Sequence, residues 1–278
     1  MIKKIVIISS AILCLVGLCL CNAYIVNPKQ LKVREETLSS TKIDNDLDGL
    51  IIVYFSDLYY GKFVDDDYLN KLVVKINRFN PDVVIYGGDL LENDEVESSK
   101  LLQALSNIKT TNGKYFILGD NDSQKSKDIL LAADFKLIDN SSKTINVDYN
   151  SFINLINVNS IDSNVEEAFK DISENTYNIL ITHYPDTFTN ITDQYFDYCL
   201  AGHSLGGQVN IPLINLFDRP HGASKYLNGI HKSNNKTIDV TNGTGRKLNN
   251  VRFLADNEIV VYRLDSISKI EPKEKDVE

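Results

Sequence analysis

The sequence predicts an α/β protein built around a largely parallel sheet, preceded by an apolar helix long enough to cross a membrane. Two observations point to the sheet. From Gly49 onward, short apolar runs alternate with stretches of helical spacing, and those runs are continuously apolar, as strands covered on both faces are. A third observation gives the helix: Ile5–Val26 (IVIISSAILCLVGLCLCNAYIV) carries no charge over a length sufficient for a bilayer.

The elements follow in order. Lys3 and Lys4 precede the apolar segment, and Lys29, Lys32 and Arg34 follow it, so flanking charge does not decide orientation. The short N-terminal flank favours the N-terminus inside and the body outside the cell. Cleavage after Ala23 is a poor match, and Leu18 and Leu20 spoil a lipoprotein site at Cys19 or Cys21. Residues 27–48 are polar with mixed charge and no period, and read as a stalk. Leu50–Phe55 (LIIVYF) is the first strand. Asp65–Phe79 carries Tyr68, Leu69, Leu72, Val73, Ile76 and Phe79 at helical spacing, with acidic residues at its start. Asp82–Tyr86 is a second strand, Glu95–Ile108 a second helix, and Tyr115–Leu118 a third strand, followed by a helix to about Ala133. This βαβαβ order implies right-handed crossovers. Beyond Asp134 come short strands near 136–138, 144–147 and 152–158, then a helix near 163–173. Strands at Tyr177–Ile181 and Tyr198–Ala201 follow, then short β segments from Gln208 to Glu258–Arg263. The expected organisation is a membrane segment at 1–26, a stalk at 27–48, one domain at 49–265 and a charged tail at 266–278.

Composition narrows the function. Twenty-nine basic against 38 acidic residues give a net charge of −9 with no basic stripe, which excludes the usual nucleic-acid footprint. A hydrophobic fraction of 43% with 24% charged residues excludes wholesale disorder. Three of the four cysteines lie in the apolar segment, so Cys199 has no partner for a disulfide within the body. Four histidines limit any metal centre to His183, His203, His221 and His231.

In α/β sheets, sites form beyond the carboxyl ends of strands. The runs here are followed by Ser56-Asp57-Leu58-Tyr59, Gly87-Gly88-Asp89-Leu90, Gly119-Asp120-Asn121-Asp122, His183-Tyr184-Pro185-Asp186 and Gly202-His203-Ser204-Leu205-Gly206-Gly207-Gln208. One Asp beside a Gly is ordinary turn chemistry. Five strand ends each offering Asp or His at one sheet edge is the arrangement a metal site requires.

This set resembles the calcineurin-like metallophosphoesterase family, in its membrane-associated bacterial branch. The family pattern is D-x-H, G-D, G-N-H-D/E, a lone His and G-H-x-H, in that order. Ala201–Val209 (AGHSLGGQV) is similar to the family's AGHTHGGQV, and Lys225-Tyr226 and the Gly243/Gly245 turn also fit. The resemblance spans about residues 49–265. It implies a four-layer α/β/β/α sandwich of two mixed sheets. It also implies a phosphoesterase site whose two divalent metals, usually Mn, Fe or Zn, clamp the phosphate about 3.5–4 Å apart.

Position by position, the metal set is incomplete. Asp57 matches the first Asp, but the D-x-H histidine is Tyr59, which could ligate only as a phenolate. Asp89 matches the bridging Asp. Asp120 replaces the Asn ligand, and Asn121 replaces the His that assists the leaving group. His183 matches the lone His and His203 the first of G-H-x-H, while Leu205 stands at the second. The pattern needs five histidines and only two stand in register. Both lost ligands serve one metal, so the resemblance implies one divalent ion on Asp89, Asp120, His183 and His203, with Asp57 alongside. Asn121 cannot donate a proton near neutral pH, so the roughly 10²–10⁴-fold share of general acid catalysis is missing.

The expected function is a membrane-anchored, one-metal phosphoesterase of reduced or altered activity, acting on a small phosphorylated or lipid-linked substrate. The alternative is a relative without turnover that binds a phosphorylated ligand or a partner. A remote third reading takes Gly202–Gly206 as the G-x-S-x-G elbow of a serine hydrolase using Ser204, with Asp218 or Asp239 and His221 or His231. Pro212 and the alternating character after Gly207 argue against the helix which that elbow needs. Asp65-Asp66-Asp67 reads as helix N-terminal charge, and Asp122 as a support for its loop.

Overall fold

Two six-stranded mixed sheets face each other and helices cover their outer sides, in a computed structural model that describes residues 2–159, 165–211, 219–247 and 249–267. The first sheet runs β1 (Lys32–Ser40), β12 (Glu258–Ser266), β2 (Ile51–Phe55), β3 (Val83–Tyr86), β4 (Lys114–Phe116), β5 (Phe135–Leu137). Its pairs are parallel except β12 with β2. The second runs β10 (Gly229–Ser233), β11 (Lys236–Val240), β9 (Tyr198–Ala201), β8 (Tyr177–Thr182), β7 (Phe152–Asn157), β6 (Ser142–Asn146). It is parallel at its centre and antiparallel at both edges.

Three apolar layers hold the sandwich together. Ile52, Tyr54, Val83 and Ile85 of the first sheet meet Ile153, Leu155, Ile179 and Leu200 of the second. On the outer face of the first sheet, Val53, Phe55 and Val84 pack against α2 (Asp66–Asn77), α3 (Ser99–Ser106) and α4 (Gln124–Ala132). On the outer face of the second, Leu180 and Ala201 pack against α5 (Val165–Phe169) and Phe188. Strands β2 and β3 are therefore buried on both faces, which is why their sequences lack alternation. Helix α2 starts where the Asp65 carboxylate accepts the Tyr68 N–H (2.8 Å), and α4 where Ser123 accepts from Lys125 and Ser126.

Helix α1 (Ile2–Cys21) buries none of its residues, and the helical course from Ile2 to Lys29 is long and apolar enough to cross a membrane. The segment beyond Lys29 is not the expected stalk. Lys32–Ser40 is strand β1, in nine-residue parallel register with β12. Its mixed charges are those of an edge strand with one neighbour, and they conceal the β pattern. Arg34 reaches across to the second sheet and grips the Asp239 carboxylate with both terminal nitrogens, at 2.8 Å each. The link between helix and strand is held as well. Asn257 Nδ2 donates to the carbonyls of Asn27, Pro28 and Gln30, Arg246 to that of Pro28, and the Arg252 N–H to that of Ala23. The expected helix near 163–173 is the shorter α5, and the charged tail falls outside the described residues beyond Ile267.

Candidate metal centre

The carboxyl ends of β2, β3, β4, β8 and β9 open onto one edge of the sandwich. Three of the side chains there leave their strands with left-handed backbone: Asp57 (φ 54°), Asp89 (φ 62°) and His203 (φ 66°). Each such non-glycine residue costs on the order of 1–3 kcal/mol, and strain of this kind concentrates at functional sites. Glycines let the loops close in. A Cβ on Gly119 would lie 2.2 Å from Asp89 Oδ1, and one on Gly88, itself at φ +97°, would lie 2.9 Å from His183 Nδ1.

Asp89, Asp120, His183 and His203 each present one ligand atom to a common point, and these atoms all lie within 4.8 Å of one another. His183 Nε2 is 3.1 Å from Asp120 Oδ1 and 3.4 Å from Asp89 Oδ2, and His203 Nδ1 is 3.2 Å from Asp120 Oδ1. Around an ion with bonds of about 2.1 Å, tetrahedral ligands stand roughly 3.4 Å apart. The tautomers suit the same purpose. His183 Nδ1 lies 2.8 Å from the Gly87 carbonyl and His203 Nε2 lies 2.7 Å from the His221 carbonyl. Carbonyls only accept, so those nitrogens carry the protons and the opposite nitrogens face the cluster.

The electrostatics call for a cation. Burial works against a charged His183, but the Asp89 and Asp120 carboxylates outweigh it and hold its pKa well above the imidazole range. Hydrogen bonds from His183 and His203 hold Asp120 below the usual carboxylate range. At Asp89, burial opposes the charge and is overcome by His183 and the Tyr59 hydroxyl. Positive charge is thus demanded between two carboxylates, and the mixed O/N donor set fits a divalent Mn, Fe or Zn ion.

The other expected residues take different places. Asp57 is fully buried and is not one of the four. Its carboxylate accepts the Ser56 O–H and the His203 N–H (2.9 and 3.1 Å to its two oxygens), and burial raises its pKa to about 6. Tyr59 is 2% exposed and donates its hydroxyl to Asp89 Oδ2. Burial, followed by the Asp57 and Asp89 charges, pushes that phenol far up, so it acts as a neutral donor. Asn121 donates its backbone N–H to Asp89 Oδ1 and its side-chain amide to the Leu91 carbonyl, both at 2.9 Å. Leu205 is buried. The Asp122 carboxylate ties three loop amides together, those of Asp89, Leu90 and Gly119, at 2.8–2.9 Å.

The serine-hydrolase reading fails on this geometry. Ser204 is 1% exposed, its oxygen accepts the Gly206 N–H, and a 3₁₀ turn at Leu205–Gly207 follows in place of an α-helix. Asp239 is engaged by Arg34 and Tyr262, and His231 by the Asn228 carbonyl. Asp218 and Pro212 lie outside the described residues.

Three contributors escaped sequence reasoning. The Tyr184 ring stands edge-on to His183, His203 and His221, at 5.5, 4.6 and 6.1 Å between centroids. The His221 backbone carbonyl, rather than its ring, orients His203. Lys247 Nζ stands 5.1 Å from the Tyr59 ring centroid. Tyr184 directly follows His183, whereas the His221 and Lys247 contacts cross long stretches of chain that no local spacing signals.

A family model for the calcineurin-like phosphoesterase matches residues 50–207, more than half of the chain. The uncharacterized metallophosphoesterase YkuE of Bacillus subtilis is 26% identical over 251 residues, covering 87% of this chain and 88% of that protein. An uncharacterized metallophosphoesterase of Helicobacter pylori is 26% identical over 247 residues, 84% of this chain and 64% of that protein. The UDP-2,3-diacylglucosamine pyrophosphatase LpxG of Chlamydia trachomatis is 23% identical over 240 residues, 67% of this chain and 73% of that protein.

Proposed function

The chain belongs to the calcineurin-like phosphoesterase family, and from that premise we propose that it is a membrane-anchored hydrolase of phosphate esters working with one divalent metal ion. The observation that carries this reading is the convergence of Asp89, Asp120, His183 and His203, with both imidazole tautomers set toward their common point. An ion there supplies Lewis acidity toward a phosphoryl oxygen. The other residues divide the remaining work. Tyr59 donates its hydroxyl to Asp89 Oδ2 and Leu205 offers no ligand, which together support one ion in place of two. Lys247 adds positive charge at the rim above Tyr59 for an anionic substrate. Asn121 hydrogen-bonds but cannot protonate a departing alkoxide, so esters with good leaving groups react best. The apolar helix serves as a single-pass anchor with the body outside the cell, and the substrate is a phosphorylated or lipid-linked molecule. The activity for which the Chlamydia relative is named, on a diacylated sugar nucleotide, supports that class.

The test uses the full chain purified in detergent. Elemental analysis should find about one Mn, Fe or Zn per chain, and an activated phosphodiester should turn over slowly. His183→Ala should lose both ion and turnover. A chain that takes up no divalent ion overturns the reading. A second reading, a ligand-binding protein without turnover, is favoured by the Asn121 side chain being spent on the Leu91 carbonyl. An ion bound with no hydrolysis of any phosphate ester would establish it.

A further inference from the structure

An apolar groove of ≈ 360 Å³ lies where the membrane helix meets the body. One wall is Leu15, Cys19 and Leu20 of α1, and the other is Val209, Val251 and Phe253. None of its lining residues is charged. The body wall is a direct continuation of the loop that carries His203. Its two segments are joined by the Phe253 N–H to the Gln208 carbonyl (3.1 Å) and the Asn210 N–H to the Phe253 carbonyl (2.8 Å). The Arg252 N–H on the Ala23 carbonyl (3.0 Å) ties this wall to the helix, so the groove does not depend on a chance approach of two bodies. Beside it, Leu254, Tyr24 and Ile25 are each more than half exposed. Soluble proteins rarely leave contiguous apolar surface of this kind in water.

The helical wall decides what occupies it. A helix rises 1.5 Å per residue, so Leu15 lies about 21 Å along the axis from Lys29, the end of the apolar span. With α1 in a bilayer, Leu15 and Leu20 stand at hydrocarbon depth and the groove opens toward acyl chains, the apolar partner present there at high concentration. We propose that the groove seats an acyl chain of a bilayer lipid, which holds the His203 loop against the lipid surface. This rests on the reading of α1 as membrane-spanning and is independent of catalysis.

The test reconstitutes the full chain in phospholipid vesicles doped with a phospholipid that bears a diazirine on one acyl chain. After irradiation, labelled peptides are mapped by mass spectrometry. Labels are expected on Val209, Ile211, Val251 or Phe253 as well as on α1. A Val209→Trp variant, which fills the groove, should lose at least fivefold of the body labelling while α1 labelling stays. Labels confined to α1, or cross-links joining two copies through these residues, overturn the proposal. Release of the chain by alkaline carbonate would instead sink the anchor reading, and that result is distinguishable because α1 would then go unlabelled too.

Discussion

At the scale of single residues, the proposed one-ion centre turns on Tyr59 and Leu205, which stand where the family pattern has histidines. Tyr59 and Leu205 do more than delete ligands. The Tyr59 phenol donates to Asp89 Oδ2, the oxygen that faces His183, and Leu205 is buried. We therefore expect Tyr59→His with Leu205→His to raise bound metal from about one to about two ions per chain, measured by elemental analysis after dialysis. Either single change should leave the count near one. Motif register made the four converging residues legible, because each follows the carboxyl end of a separate strand, where sites of α/β sheets form. The fate of Asp57 was not legible. Its carboxylate is spent on Ser56 and the His203 amide, which depends on a loop 146 residues away.

At the scale of elements, the His203 imidazole is held by a loop that carries no ligand. The His221 carbonyl that orients His203 lies in a segment pinned by Asp186, whose carboxylate accepts the Ser224 N–H (2.7 Å) and the Lys225 N–H (2.9 Å). Partners one step removed from a metal are commonly worth 10–100-fold in affinity. Asp186→Ala should thus weaken metal binding about tenfold in calorimetric titration, with the four ligands untouched. The same carboxylate gives a pH signature. Burial opposes its charge, but these hydrogen bonds prevail and hold its pKa below the ordinary value. A depressed acid stabilises the fold above its unfolded pKa of about 3.9 and loses that contribution as pH falls through the folded value. Between neutral pH and about pH 3, the variant's melting temperature should decline less than that of the parent chain. Strand and helix positions were readable because burial on both faces leaves continuous apolar runs. The loop pins were not, since Asp186 and Ser224 are 38 residues apart and neither stands out locally.

At the scale of the whole molecule, the segment after the apolar N-terminal helix belongs to the fold, and that has a direct consequence. The sequence hid it because an edge strand needs no apolar alternation: β1 carries Lys32, Arg34, Glu35 and Glu36 and still pairs with β12 along its length. Its Arg34 is the bridge between the sheets, and the Asp239 that it grips is fully buried, with the Tyr262 hydroxyl (2.7 Å) as a further donor. Removing one partner of such a pair leaves an uncompensated charge inside, at a cost of about 3–5 kcal/mol. Arg34→Met should therefore lower the melting temperature by roughly 10 °C, at about 2–4 °C per kcal/mol for a body of this size. Truncation tests the same point without a point mutation. If residues 27–48 were a stalk, a chain starting at Gly49 would fold as well as one starting at Asn27. Here Gly49 onward lacks β1, the Asn257 contacts to Asn27, Pro28 and Gln30, and the Arg34 clamp. We expect the chain from Asn27 to be soluble with a cooperative thermal transition, and the chain from Gly49 to aggregate or melt without one. Equal melting temperatures for the two would return the segment to the status of a stalk.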